Sequence, residues 1–261
     1  MTDGFATVPV GVSVTVWVVA ASLVFYVPFV VYRGTRRLDY PPARARRLTW
    51  KVFAVMALWA GAAVVVAATG AVRDEAGSPP WVLYWFFGVI ILGTVGVARW
   101  SELFHVLAHR HTLAELLLCE TARWLGSMFL ILEATRQLPG FFAYPAAFGD
   151  ILVGLTAIFA VIALVFSRSN VVPVGWTLLG LLDFVGAAGT AFLACQAIGL
   201  VQTDPPTSLL SQLPMSLFPM FMVSCSIVIH LTTLRLLFGP LRNLPVANRY
   251  SASASMSGGP K

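Results

Sequence analysis

The sequence predicts an all-α fold: a transmembrane bundle of seven helices, N-terminus outside and C-terminus inside. Three observations predict it. The chain of 261 residues is 58% hydrophobic and 11% charged, with a mean hydropathy of +0.83, too little polar surface for a domain bathed in water. Its apolar residues form continuous runs near the roughly 20 residues a helix needs to cross the hydrocarbon layer. Fifteen of its 17 Lys and Arg residues fall in alternate gaps between those runs, as basic residues of short inner loops do. Continuous runs without period-two alternation exclude a β-barrel, and helices satisfy every backbone group internally.

The elements follow in order. Val10–Tyr32 is the first span; with Asp3 and no Lys or Arg before it, it reads as an uncleaved anchor rather than a signal peptide. The gap holding Arg33, Arg36, Arg37, Arg44, Arg46, Arg47 and Lys51 is placed inside. Val52–Val72 leads outward to Arg73, Asp74 and Glu75, and Trp81–Ala98 returns to Arg99 and Arg110. Leu113–Ala134 is the weakest span, because it carries Glu115, Glu120 and Arg123. Six spans plus an interfacial helix that enters only at Trp124 is the alternative. Gln137–Gly140 breaks the chain outside, beside Arg136. Ala146–Phe166, Val172–Leu200 and Met215–Phe238 complete the set, with Arg168 inside and Asp204 outside. Residues 1–240 form the transmembrane domain. Residues 241–261, rich in Ser, Ala and Gly, read as a disordered cytoplasmic tail.

Net charge +6 and a pI near 9.7 are read through this topology. The basic residues hug membrane edges, so the partner is the bilayer of the inner (cytoplasmic) membrane and not nucleic acid. The Arg33–Lys51 loop can hold anionic headgroups at about 1 kcal/mol per basic residue. Tyr32, Trp50, Trp81, Trp100 and Trp176 sit at span ends, as interfacial aromatic rings do. Cys119, Cys195 and Cys225 lie in apolar stretches without paired spacing and read as packing residues.

Ionisable residues within spans are expensive and face the protein interior. Asp183 lies roughly 16 Å into the sixth span, on a face shared with Gly180, Gly186, Ala187 and Thr190. His230 is its expected partner, at matching depth on the seventh span with Ser226 and Thr233 beside it. Such a pair can carry a proton or simply fix helix packing. Asp150 forms a second focus near the start of the fifth span, on a face of Ala146, Ala147, Gly154 and Ala157. Glu133 and Arg136 end the fourth helix nearby, so Asp150 either pins helix ends through Arg136 or marks the mouth of a solute or ion path, and structural ion pairs of Arg136, Glu133, Glu120 and Arg123 are expected. Glu102, His105 and His109 recur at three and four residues, a weak metal-ligand pattern that more readily describes a solvated interfacial helix.

Several chemistries are excluded. The only lysines are Lys51 and Lys261, so the seventh span offers no retinal Schiff base. No Gly-rich phosphate loop, Gly-x-Ser-x-Gly elbow or Cys-x-x-Cys-His sequence is present. One deep histidine does not make a bis-His haem. No cofactor is named by the residues.

The run Leu138–Pro139, Phe142–Ala143, Pro145–Ala146–Ala147 and Gly149–Asp150, followed by Val153–Gly154–Leu155, resembles a motif of uncharacterised bacterial multi-pass membrane proteins. Leu182–Asp183, Leu213–Pro214, Pro219 and His230 are similar to that family's final spans, although Phe148 stands where a Gly is expected. The resemblance covers roughly Arg123 to Phe238; it implies a polytopic fold and marks Asp150, Asp183 and His230, but implies no activity. Three functions therefore stand open. The first is binding or passage of a small solute or ion, with Asp183 and His230 protonatable. The second is a non-catalytic membrane subunit or assembly partner. The third is a membrane-embedded enzyme or cofactor protein acting on a lipid or quinone.

Overall fold

A computed structural model describes residues 8–167 and 169–239. Asp3, Arg168 and the tail expected at 241–261 lie outside the described residues. The fold is all-helical, and six helices are long and apolar enough to cross a membrane. These are α1 (Val10–Arg37), α2 (Pro42–Ala68), α3 (Trp81–Arg99), α7 (Gly140–Phe166), α8 (Val171–Ala194) and the continuous segment Phe218–Phe238. That last segment begins with a π turn (Phe218–Met222) and continues as α9 (Val223–Phe238). The chain is thus a multi-pass membrane protein by length and composition.

Local chemistry explains the helix ends. Pro9, Pro41, Pro80 and Pro139 stand at the N-caps of α1, α2, α3 and α7, where a missing backbone donor does no harm. Within the helices, the Thr15, Ser22, Thr156 and Thr190 hydroxyls donate to carbonyls one turn back, which hides them from an apolar surrounding. Outward faces are apolar: Phe148, Leu152, Leu155, Phe159 and Phe166 make an exposed stripe along α7, suited to lipid. The last segment is the hub. In its most apolar window 67% of the residues are buried, against 17–33% in the other five helices.

The expected fourth span at Leu113–Ala134 is not one α-helix. After the short α4 (Ser101–Leu107), the chain forms α5 (Arg110–Leu117), a ten-residue 3₁₀ helix (Leu118–Ser127) and α6 (Met128–Ala134). Its polar residues are the physical reason: Glu120 and Arg123 turn toward partners inside the bundle and Glu115 toward Arg33 and Arg37 at its end, and the winding follows them. This segment packs antiparallel along α7, so that Gly126 meets Asp150 and Gly154 meets the Trp124 backbone.

Basic residues gather at one end of the bundle. Arg33 and Arg37 clasp Glu115, Arg44 pairs with Glu102 at 2.7 Å, and Arg110 donates to Asn170 at 2.6 Å. At the opposite end, the buried Asp74 carboxylate accepts from the Cys195 thiol and the Gln196 and Ala197 backbone amides. Asp74 therefore ties the loop before α3 to the end of α8.

Candidate functional site: a buried charge centre

The winding of the broken fourth segment builds the site. At three residues per turn, side chains three apart eclipse. Glu120, Arg123 and Gly126 therefore share one edge of the 3₁₀ helix, and that edge faces α7, α8 and α9. Asp150 lies ten residues beyond the start of α7, and Asp183 twelve beyond the start of α8. At 1.5 Å per residue these depths are about 15 and 18 Å, near the middle of each helix.

Arg123 is the centrepiece. Its Nε donates to Asp150 Oδ1 at 2.7 Å and its Nη2 donates to Asp183 Oδ2. The guanidinium also lies 4.0 Å over the Phe184 ring, a favourable cation–π placement. Among the described residues its Nη1 meets no acceptor. Glu120 accepts a 2.5 Å hydrogen bond from the Ser226 hydroxyl and stands 3.6 Å from His230 Nε2, an ion-pair rather than hydrogen-bond separation. The His230 ring lies between Trp176 and Phe184, with centroids 5.0 and 5.9 Å away. Trp176 is held by its indole N–H on the Val153 carbonyl at 3.1 Å. All five ionisable side chains are deeply buried, from 0% exposed for His230 to 13% for Asp150.

Glycines let the helices close on these groups. A Cβ at Gly149 would overlap the Asp183 carboxylate, and one at Gly126 would overlap Asp150. A Cβ at Gly180 would fall 2.5 Å from His230 Cε1 and 3.3 Å from Arg123 Nη1. Two small cavities of about 70 Å³ flank the centre. Glu120, Arg123, Asp150 and Ser226 line one; Asp150 and Asp183 line the other. Each has room for a few waters.

The structure brings Glu120, Arg123, Asp150, Asp183, Ser226 and His230 together, but in pairs other than those expected. Asp183 hydrogen-bonds Arg123, not His230, whose charged neighbour is Glu120. Arg123, not Arg136, holds Asp150. Arg136 instead occupies the turn after α6 with a φ of +54°, and Glu133 neighbours the Tyr144 hydroxyl. Glu102, His105 and His109 do not continue one helical face: α4 ends at Leu107, His109 caps α5, and Glu102 is taken by Arg44. Among the described residues no group of three His, Cys, Asp or Glu is placed to hold a metal ion. Phe184 is a member of the site that apolar patterning conceals, its one signal being that it adjoins Asp183, and Trp176, expected as an interfacial ring, is instead buried against His230.

Ionised throughout, the centre would hold three carboxylates against one guanidinium, a net charge of about −2, or −1 with His230 protonated. Such an excess is costly in a low-dielectric interior.

No curated protein and no solved structure matches the chain. The family model described as a domain of unknown function (DUF8737) matches residues 79–238, from just before α3 to the end of α9, and so includes every residue of the charge centre. The chain belongs to this family.

Proposed function

We propose that the protein binds or passes a small solute or ion across the cytoplasmic membrane, with proton uptake and release at the Arg123 centre. The observation that carries this reading is the surplus of buried carboxylates around one arginine at mid-helix depth. Intramembrane ionisable groups of this kind mark ion paths and proton relays. Two features support it further. The centre is built on a broken segment and beside a π turn, and irregular backbone at membrane depth belongs where helices line an ion or substrate site. Small cavities reach the carboxylates on both sides of Arg123. In this reading Arg110–Ala134 is a seventh, polar crossing, with the N-terminus outside and the basic end of the bundle in the cytoplasm.

The test uses purified protein in liposomes loaded with a pH-sensitive dye. An imposed pH gradient should collapse faster than in empty liposomes. Asp183→Asn should leave the protein folded and slow that collapse at least tenfold, because an amide cannot titrate. Infrared difference spectra between acid and neutral pH should show a protonated-carboxyl band lost in the same variant. No flux and no carboxyl band in the wild type would overturn the reading and leave these residues to packing, as in an assembly subunit.

A further inference from the structure

We infer that the cleft between α2 and α3 holds one hydrocarbon chain of an anionic phospholipid as a bound component of the protein. The cleft has a volume of about 550 Å³. Along α3 its lining runs from Trp85 to Trp100, about 22 Å, and along α2 from Val52 to Ala62, about 15 Å. Spread over those lengths, the volume gives a cross-section of about 25–37 Å². That is the girth of one extended hydrocarbon chain, too narrow for a headgroup.

The lining chemistry agrees. No described lining residue is charged, and Thr232 carries the one hydroxyl. The walls scarcely touch each other: α2 and α3 are joined through the π turn, where the Trp59 and Trp85 indole N–H groups both donate to the Met220 carbonyl, at 3.0 and 3.2 Å. With those indoles committed, the far end of the cleft offers no free indole donor to a polar ligand. Two glycines shape α3 differently. Gly93 closes on Val228, whereas a Cβ at Gly96 would meet nothing within 4 Å. The near end opens where Trp100 and Leu103 reach the basic end of the bundle, with exposed Lys51 and Arg99 adjoining the lining residues Val52 and Trp100. Hydrocarbon length, an aromatic ring at the interface and basic residues at the mouth match a lipid with its chain inward and its anionic headgroup among cations.

This inference is independent of the charge centre, since Cys225, Val228, Ile229 and Thr232 of α9 floor the cleft, whereas Ser226 and His230 meet Glu120 and do not line it. The floor also supplies the test, because those four residues are only 4–7% exposed and line the cleft. Full-length protein in bilayers containing phosphatidylglycerol with a photoactivatable acyl chain should carry crosslinks on Cys225–Thr232 after illumination. Crosslinks confined to outward faces such as Leu152 and Phe159 of α7 would overturn the proposal.

In parallel, protein purified in mild detergent should retain about one phosphatidylglycerol per chain by native mass spectrometry. Gly96→Leu fills the cleft and should lower that retention at least fivefold. Gly88→Leu, equally open on the same helix but outside the cleft, should not. Equal retention in both variants would overturn the proposal. Undiminished retention of phosphatidylcholine in place of phosphatidylglycerol would overturn its anionic part.

Discussion

Replacing Arg123 with methionine removes one side chain and strands two. Its guanidinium is 8% exposed and donates to Asp150 and Asp183, which are 13% and 8% exposed. Breaking a buried pair by removing one partner costs about 3–5 kcal/mol, because the other charge is left uncompensated. The lost stacking on Phe184, at 4.0 Å, adds about 1 kcal/mol. For a chain of this size each kcal/mol moves Tm by roughly 2–4 °C, so Arg123→Met should unfold roughly 8–24 °C earlier. The assay is thermal unfolding in detergent, read by size-exclusion recovery after heating. Arg123→Met combined with Asp150→Asn and Asp183→Asn should regain most of the loss, since no buried charge is then stranded. Lowering the pH should also partly rescue the single variant, because the stranded carboxylates take up protons. A Tm within about 2 °C of wild type for Arg123→Met would refute the reasoning, for it would show that Arg123 does not neutralise the two aspartates.

Other outcomes follow from particular contacts. Gly149→Ala should destabilise strongly, because its Cβ overlaps the Asp183 carboxylate, whereas Gly186→Ala should stabilise by about 0.5–1 kcal/mol, having nothing within 4 Å; equal Tm values would contradict the close approach of α7 and α8. Trp59→Phe and Trp85→Phe should each cost about 1 kcal/mol through their bonds to Met220. The double variant should lose more than the sum, while strict additivity in thermal unfolding would show that the carbonyl has another donor. Burial, aided by the Asp74 hydrogen bond and charge, pushes the Cys195 thiol from 9.0 to about 11. A folded-state value raised this way favours folding fully below pH 9, and the contribution disappears as pH rises through about 11. Alkaline melting curves should therefore fall across that window, and Cys195→Ser should flatten the fall; an unchanged slope would remove the thiol from the account.

The apolar runs made six helices legible, because a window near 20 residues integrates hydropathy whatever its neighbours do. The fourth segment resisted the same treatment. Its charges at 115, 120 and 123 dilute the hydropathy that marks a span, and helical periodicity of 3.6 sets Glu120 and Arg123 on one face but does not eclipse them. Winding at three per turn does, and nothing local in Leu118–Ser127 announces that winding. For the same reason Asp150, Asp183 and His230 stand out as buried polar residues on small-residue faces, yet nothing in the sequence names the two aspartates as the ion-pair partners of Arg123. Pairing is a three-body property of α7, α8 and the broken segment. Asp74 was similarly disguised: an acidic residue in a loop reads as solvated, but its acceptors' donors come from 121 to 123 residues away.

The ten-residue 3₁₀ stretch is drawn out relative to an α-helix of the same residues. At about 2.0 Å per residue it spans about 20 Å, where an α-helix of the same residues would span about 15 Å. Rewinding it would pull Leu118 and Ser127 about 5 Å closer and turn Arg123 about 60° away from Glu120. The separation of α5 from α6 and the direction in which the Arg123 side chain leaves the segment are therefore geometrically linked.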